Sequence, residues 1–260
     1  MKFKSLLFLL ILLSISCKKE ETINHINPAQ KVNIENLEID FSTWWIYHTE
    51  NIFLSLDFNA FDENNLLISN QNFFKKLETG KYIPYKIGTD GVTNDYKLVV
   101  LSKTASPEIS STIQYLAQVQ LDYLSKIGKD FHKLNFTDIY ERDFVISSKK
   151  NKITLVKCWF INCQACVEEF SELNQLVEEN SKNKNISFLS LAFDSKEKLI
   201  NFNLKHPFHY VIVPNQKDFI YEDLLVNEFP THFVLNGGKI EKIFNDSKSL
   251  ILYLKRKKYI

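Results

Sequence analysis

Residues 157–170 read Lys157-Cys158-Trp159-Phe160-Ile161-Asn162-Cys163-Gln164-Ala165-Cys166-Val167-Glu168-Glu169-Phe170. Ile153 to Phe160 reads as a buried strand, apolar except at Lys157 and Thr154. Behind the stretch, Cys166 to Asn180 puts Val167, Phe170, Leu173, Leu176 and Val177 on one face of a helix. Cys163 therefore falls in a strand-to-helix loop or at the helix N-cap, where unpaired backbone N–H groups favour thiolate over thiol. A thiolate is the attacking species in disulfide exchange. Cys166 follows three residues later, close enough to close a disulfide with little backbone movement. By itself a C-x-x-C pair is also a zinc half-site or a structural loop disulfide.

Outward on the C-terminal side, strands alternate with helices. Ile186–Phe193 and Tyr210–Val213 read as strands, and 196–204 and 217–226 as helices. Residues 231–235 and 239–244 form a hairpin across Asn236-Gly237-Gly238, and Asp246 opens a last helix. Buried strands separated by helices give an α/β sheet with a parallel part.

On the N-terminal side, the text from about 33 to 104 favours strands. Alternation of Ile52, Leu54, Leu56 and Phe58 marks one, and 96–101 another. Gly80, Pro84, Gly88 and Asp90-Gly91 mark turns. Residues 110–127 read as a helix, capped by Ser110 or Ser111 and closed by Gly128. Trp44-Trp45 reads as a half-core, half-surface pair in a strand. The expected organisation is a small α+β domain over 33–126, of unassigned role, followed by an α/β domain over 127–260.

The first residues carry an address. Met1-Lys2-Phe3-Lys4 is basic and Ser5 to Ile15 is apolar, a signal-peptide pattern too short for a mature membrane span. It ends in Leu13-Ser14-Ile15-Ser16-Cys17, which resembles a bacterial lipobox with Ser14 where Leu is usual. Residues 1–16 are thus expected to be a signal peptide, Cys17 the lipidated residue, and 18–32 a tether; plain secretion is the other reading. With Cys17 set aside, the remaining cysteines of the 4 lie together at 158, 163 and 166. Clustered thiols are no disulfide framework for 260 residues and point to a reactive or metal site. A formal net charge of +1 asks for no nucleic-acid partner.

The strand, the C-x-x-C pair, the helix and the downstream Phe229-Pro230-Thr231 together resemble the thioredoxin superfamily. They are most similar to its TlpA/ResA-type branch of extracytoplasmic oxidoreductases, over roughly residues 127–257. Ile127-Gly128-Lys129-Asp130-Phe131 with Thr137-Asp138 looks like that branch's leading strand. The resemblance implies a thioredoxin-like fold, a mixed central sheet flanked by helices. It implies a thiol–disulfide oxidoreductase that reduces extracytoplasmic protein disulfides with electrons from a membrane-bound donor and without a cofactor. Cys163 would attack, Cys166 would resolve, and Pro230, as a cis-proline, would set Phe229 beside the thiols for an extended substrate. Glu169 matches the branch's acidic residue that handles protons for the buried thiol; as a plain carboxylate it would stabilise the helix N-terminus. The setting implied is a lipoprotein on the periplasmic face of the outer membrane or the surface of a Gram-negative bacterium.

Departures from the pattern set further expectations. Gln164-Ala165 stands between the cysteines, Asn162 stands before the first, and Ser171 replaces a common helix proline. Lys157 occupies the place of a buried acid, and a buried ammonium is costly unless paired, so it is expected to tune the site by pairing with Glu169 or the Cys163 thiolate. Cys158 reads as a packing residue. The alternative function is a lipid-anchored metal-handling (copper or zinc) or scaffold module, with His232, His206 or His209 joining the cysteines.

Overall fold

The computed structural model describes residues 34–260. The readings of residues 1–33, including the signal peptide, Cys17 and the tether, lie outside the described residues. From Ile34 the chain forms one compact unit. It opens with helices α1 (Ile34–Ile39) and α2 (Phe41–Asn51), then strands β1 (Phe58–Phe61) and β2 (Leu67–Ile68). Helix α3 (Asn70–Glu78), strands β3 (Tyr82–Thr89) and β4 (Asn94–Val100), and helix α4 (Pro107–Lys126) follow. The strands form a sheet of order β2-β1-β4-β3, over a core that includes Trp44, Phe58, Phe73, Phe74 and Tyr96.

Several strand expectations are corrected here. Trp44 and Trp45 sit on a helix, begun by Asp40, whose carboxylate accepts from the Thr43 amide at 2.8 Å. Trp44 is buried and Trp45 exposed, a split that neighbours show on a helix as well as on a strand. Burial of Trp44, Tyr47 and His48 at i, i+3 and i+4 is the helical signature. The alternating Ile52, Leu54 and Leu56 are buried, but from an irregular segment before β1. Residues 70–78, read as strand text, form α3 behind the Ser69 cap. Pro84 and Gly88 lie within β3, the latter at a register shift. Helix α4 begins earlier than expected, at Pro107 after Ser106, because proline suits a first helical position.

The second half contains strands β5 (Asn135–Thr137), β6 (Asp143–Val145) and β7 (Ile153–Trp159), then helices α5 (Gln164–Glu168) and α6 (Phe170–Glu179). Strand β8 (Ile186–Ala192), helix α7 (Lys196–Asn203) and strand β9 (Val211–Val213) follow. Strands β10 (Thr231–Asn236) and β11 (Lys239–Phe244) and helix α8 (Ser247–Arg256) complete the chain. The five-stranded sheet has the order β11-β10-β7-β8-β9. Strand β7 runs parallel to β8 and antiparallel to β10. Every residue of β7 is buried, because both of its faces are covered. Leu155 and Trp159 join one core with Phe170, Leu173, Leu250 and Tyr253, while Val156 and Cys158 join the other with Phe131, Phe233 and Leu189.

Three departures concern this half. The expected leading strand makes one isolated bridge, Asp130 to Lys239, flanked by hydrogen bonds from Gly128 and Phe131 to the β11 hairpin. Those contacts cover part of the β11 edge. The helix expected over 217–226 shrinks to a π-helical turn, Phe219–Asp223, and Leu225 takes a positive φ of 52°. The helix expected from Cys166 begins at Gln164 and is divided at Glu169.

Candidate functional site

Cys163 is the N-cap of α5, as its place at the end of the strand-loop required. Its sulfur accepts from the Cys166 amide at 3.2 Å, and its own amide is held by the Phe160 carbonyl at 3.0 Å. The loop is tied to the end of β8, where an Asp194 carboxylate oxygen accepts from the Ile161 amide at 2.8 Å. Cys163 and Cys166 are joined in a disulfide with Cα atoms 5.2 Å apart. Cys166 is fully enclosed and Cys163 is 8% exposed, so Cys163 is the more accessible residue of the pair. Trp159, Phe170 and Phe208 pack beneath; the Phe170 and Phe208 rings stack at 4.0 Å.

The Phe229–Pro230 bond is cis. Thr231 pairs with Cys158 across β10 and β7, so the register continued by one residue sets Pro230 beside Trp159, at the strand end that feeds the cysteine loop. The Asn245 side-chain amide donates to the Pro230 carbonyl at 3.2 Å and fixes this turn.

Where β7 and β10 meet the junction of α5 and α6 lies a buried charge cluster. Lys157 is wholly buried and pairs with Glu169, the first of the two partners expected of it. His232, opposite Lys157 in the register, places Nε2 3.0 Å from the same Glu169 oxygen. The other Glu169 oxygen accepts from the Ser247 amide at 2.7 Å. Burial works to raise the Glu169 pKa, but the bonds and charges of His232 and Lys157 outweigh it and hold it down to about 2. Burial lowers the His232 pKa, with the Lys157 charge acting in the same sense and the Glu169 bond and charge opposing both. Burial also pulls Lys157 down against the opposing charge of Glu169. Glu169 thus does serve a helix N-terminus, but that of α8 and not its own.

The sequence reading missed the His232–Glu169 contact. A signal existed: His232 lies two residues beyond Pro230 and so faces the same side of β10. Cys158 is buried and free, with its thiol pKa pushed up by burial. It points into the core on the other face of the sheet. His206 and His209 are exposed; one stacks on Phe202 and the other lies 3.4 Å from Glu178. Among the described residues no group of three or more His, Cys, Asp or Glu side chains is placed to hold a metal ion. No described helix is long and apolar enough to cross a membrane.

A mixed sheet of this order, with a C-x-x-C pair where its central strand hands over to a helix and a cis-proline at the end of the neighbouring strand, is a thioredoxin-like domain. No protein-family model matches the sequence, and no curated protein matches it. Among solved structures it is similar to the thioredoxin domain of a thiol-disulfide oxidoreductase from Bacteroides vulgatus, at 21% identity and a TM-score of 0.44, over 52% of this chain and 97% of that one. A thiol-disulfide oxidoreductase from Bacteroides fragilis gives 21% and 0.43, over 51% and 99%. StoA from Bacillus subtilis gives 17% and 0.41, over 51% and 98%.

Proposed function

We propose that this chain is a thiol–disulfide oxidoreductase that reduces disulfides of extracytoplasmic proteins. The observation that supports it most is the Cys163–Cys166 disulfide at the start of α5, with Cys163 8% exposed and Cys166 enclosed, beside the cis Phe229–Pro230 turn. In the reduced state the Cys163 thiolate attacks a substrate disulfide, forms a mixed disulfide and expels the first substrate thiolate. Cys166 then attacks the Cys163 sulfur, closes the internal disulfide and releases the second. Two electrons pass from the dithiol to the substrate, and a membrane-bound donor restores the dithiol. The backbone at Phe229 is the place for an extended substrate segment. Glu169 lies three residues from Cys166; Lys157 and His232 hold its carboxylate charged, so it acts on the enclosed thiol through its charge and not as a proton carrier.

The Lys157–Glu169–His232 contacts favour this reading over metal handling, because they commit the His232 imidazole to a carboxylate. We assign residues 127–260 to the redox domain and 33–126 to a domain that accompanies it, with lipidated Cys17 holding both at a membrane surface. The test is turnover of a protein disulfide by the full chain with a supplied reductant. Cys163→Ser should abolish it; turnover that survives, or tight copper or zinc uptake with no turnover in the unaltered chain, removes the proposal.

A further inference from the structure

We infer that the rings of Phe160, Phe193, Tyr221 and Phe229 form a docking platform beside Cys163 for protein segments that carry an aromatic side chain and basic residues next to their disulfide-bonded cysteine, a selectivity that rests on the redox reading above. The rings come from separate segments: the cysteine loop, the end of β8, the π-helical turn and the cis-proline turn. Phe160 and Phe193 stack at 5.1 Å, and Phe229 meets both edge-on at 5.5 and 5.1 Å. Tyr221 closes the group at 5.1 Å from Phe193 and 6.1 Å from Phe229.

Their exposure separates them from ordinary core. Trp159, Phe170 and Phe208, which pack nearby, are buried, whereas Tyr221 is 37% exposed and the other platform rings are half-buried. Phe229 packs against the cores on both sides of the sheet, so it stands at the sheet's end. A contiguous apolar patch on a protein surface marks a contact site, and offset or edge-on ring contacts favour another aromatic ring as the guest. Phe160 is tied to the nucleophile's own loop, because its carbonyl accepts from the Cys163 amide at 3.0 Å.

Charge gives the second half of the selectivity. Over 217–229 the acids are Asp218, Glu222, Asp223 and Glu228 and the base is Lys217 alone, a local net charge of −3 in a chain whose total is +1. Asp218, Glu222 and Asp223 are exposed, and Glu228 is bonded to the Tyr115 hydroxyl. Such carboxylates, on the same segment as Tyr221, act over about 8 Å at physiological salt. Arginine and lysine there would meet both the carboxylates and the ring faces.

The experiment uses the reduced full chain and two peptides of equal length, each holding one cysteine as a mixed disulfide with thionitrobenzoate. One peptide flanks the cysteine with Phe and Arg, the other with Ser and Glu. Cys163 attacks the peptide sulfur and expels the coloured thiolate, and each rate is divided by that peptide's rate with glutathione. The first peptide is expected to react at least about tenfold faster at low salt. Tyr221→Ser should cut its rate about two- to tenfold, and Glu222→Gln with Asp223→Asn should flatten its salt dependence. Normalised rates within about twofold of each other, or a preference that survives both sets of substitutions, overturn the platform while leaving the redox reading intact. Release from neither peptide removes the redox reading and the platform with it.

Discussion

Replacing Lys157 with Met should destabilise the oxidised protein by about 3 kcal/mol at pH 7. Removing one partner of a buried ion pair costs about 3–5 kcal/mol because the other charge is left uncompensated. Here Glu169 keeps His232 and the Ser247 amide, which puts the cost at the lower end. The depression of the Glu169 carboxyl to about 2 is a stabilisation that His232 and Lys157 supply together, so Lys157→Met removes only part of it. The sign follows from the depression: this contribution is full above pH 4.5 and is lost as pH falls through about 2. Urea unfolding followed by near-ultraviolet circular dichroism between pH 7 and pH 2 measures both quantities. Lys157→Met should show the lower midpoint at pH 7 and a shallower acid-side fall, since Glu169 then titrates nearer its ordinary range. Lys157→Met with Glu169→Gln should recover about 1–2 kcal/mol of the loss, the coupling expected of groups in one network. In the reduced protein, Lys157→Met should also raise the Cys163 pKa, because Glu169 loses its compensating charge. A single variant within about 1 kcal/mol of the unaltered protein, with the same acid limb, would refute the claim that this cluster carries structural weight.

Further outcomes follow from the same structure. Cys158 should resist alkylation in the folded, oxidised protein and react at once in denaturant, since burial raises its thiol pKa and encloses it; fast labelling of the native state would contradict its placement. Gly237→Ala should cost about 1–3 kcal/mol, read from urea midpoints, because Gly237 has φ +59° and an added Cβ would stand 3.2 Å from the Lys149 backbone. An alanine variant as stable as the parent would mean the hairpin tip can relax. Asp246→Ala should cost about 1 kcal/mol through loss of the cap bond to the Ser249 amide at 2.7 Å, and no midpoint shift would show that Glu169 alone secures the start of α8.

The parts of the fold that could be read from the chain are those whose signals are local. Strand β7 is an unbroken apolar run, the helix after it repeats with a helical period, and Asn236-Gly237-Gly238 announces its hairpin. Cys163 at an N-cap follows from those neighbours alone. The failures come where local text is ambiguous or long-range contacts decide. Around Trp44 and Trp45 the aromatic and β-branched composition favours strand, yet the Asp40 cap and the i, i+3, i+4 burial select a helix. Residues 217–226 look helical, but the chain must reach the cis-proline turn, and Leu225 leaves the helical region to do so. The division at Glu169 was hidden for a related reason: its carboxylate is held by β7, β10 and the start of α8 at once. The chemistry of the site was half legible. The thiol pair and the Lys157–Glu169 pairing could be argued from spacing and the cost of a buried ammonium, whereas the role of His232 depends on strand register. The aromatic platform joins segments that only the folded sheet brings together.

The central claim is that Cys163 is the sulfur that meets a substrate and Cys166 the one that releases it. Its most direct test is Cys166→Ser, reduced, mixed with a protein disulfide and analysed by intact mass and peptide mapping. A stable one-to-one adduct linked through Cys163 is expected, absent in Cys163→Ser. No adduct, or one linked through Cys158, would contradict it.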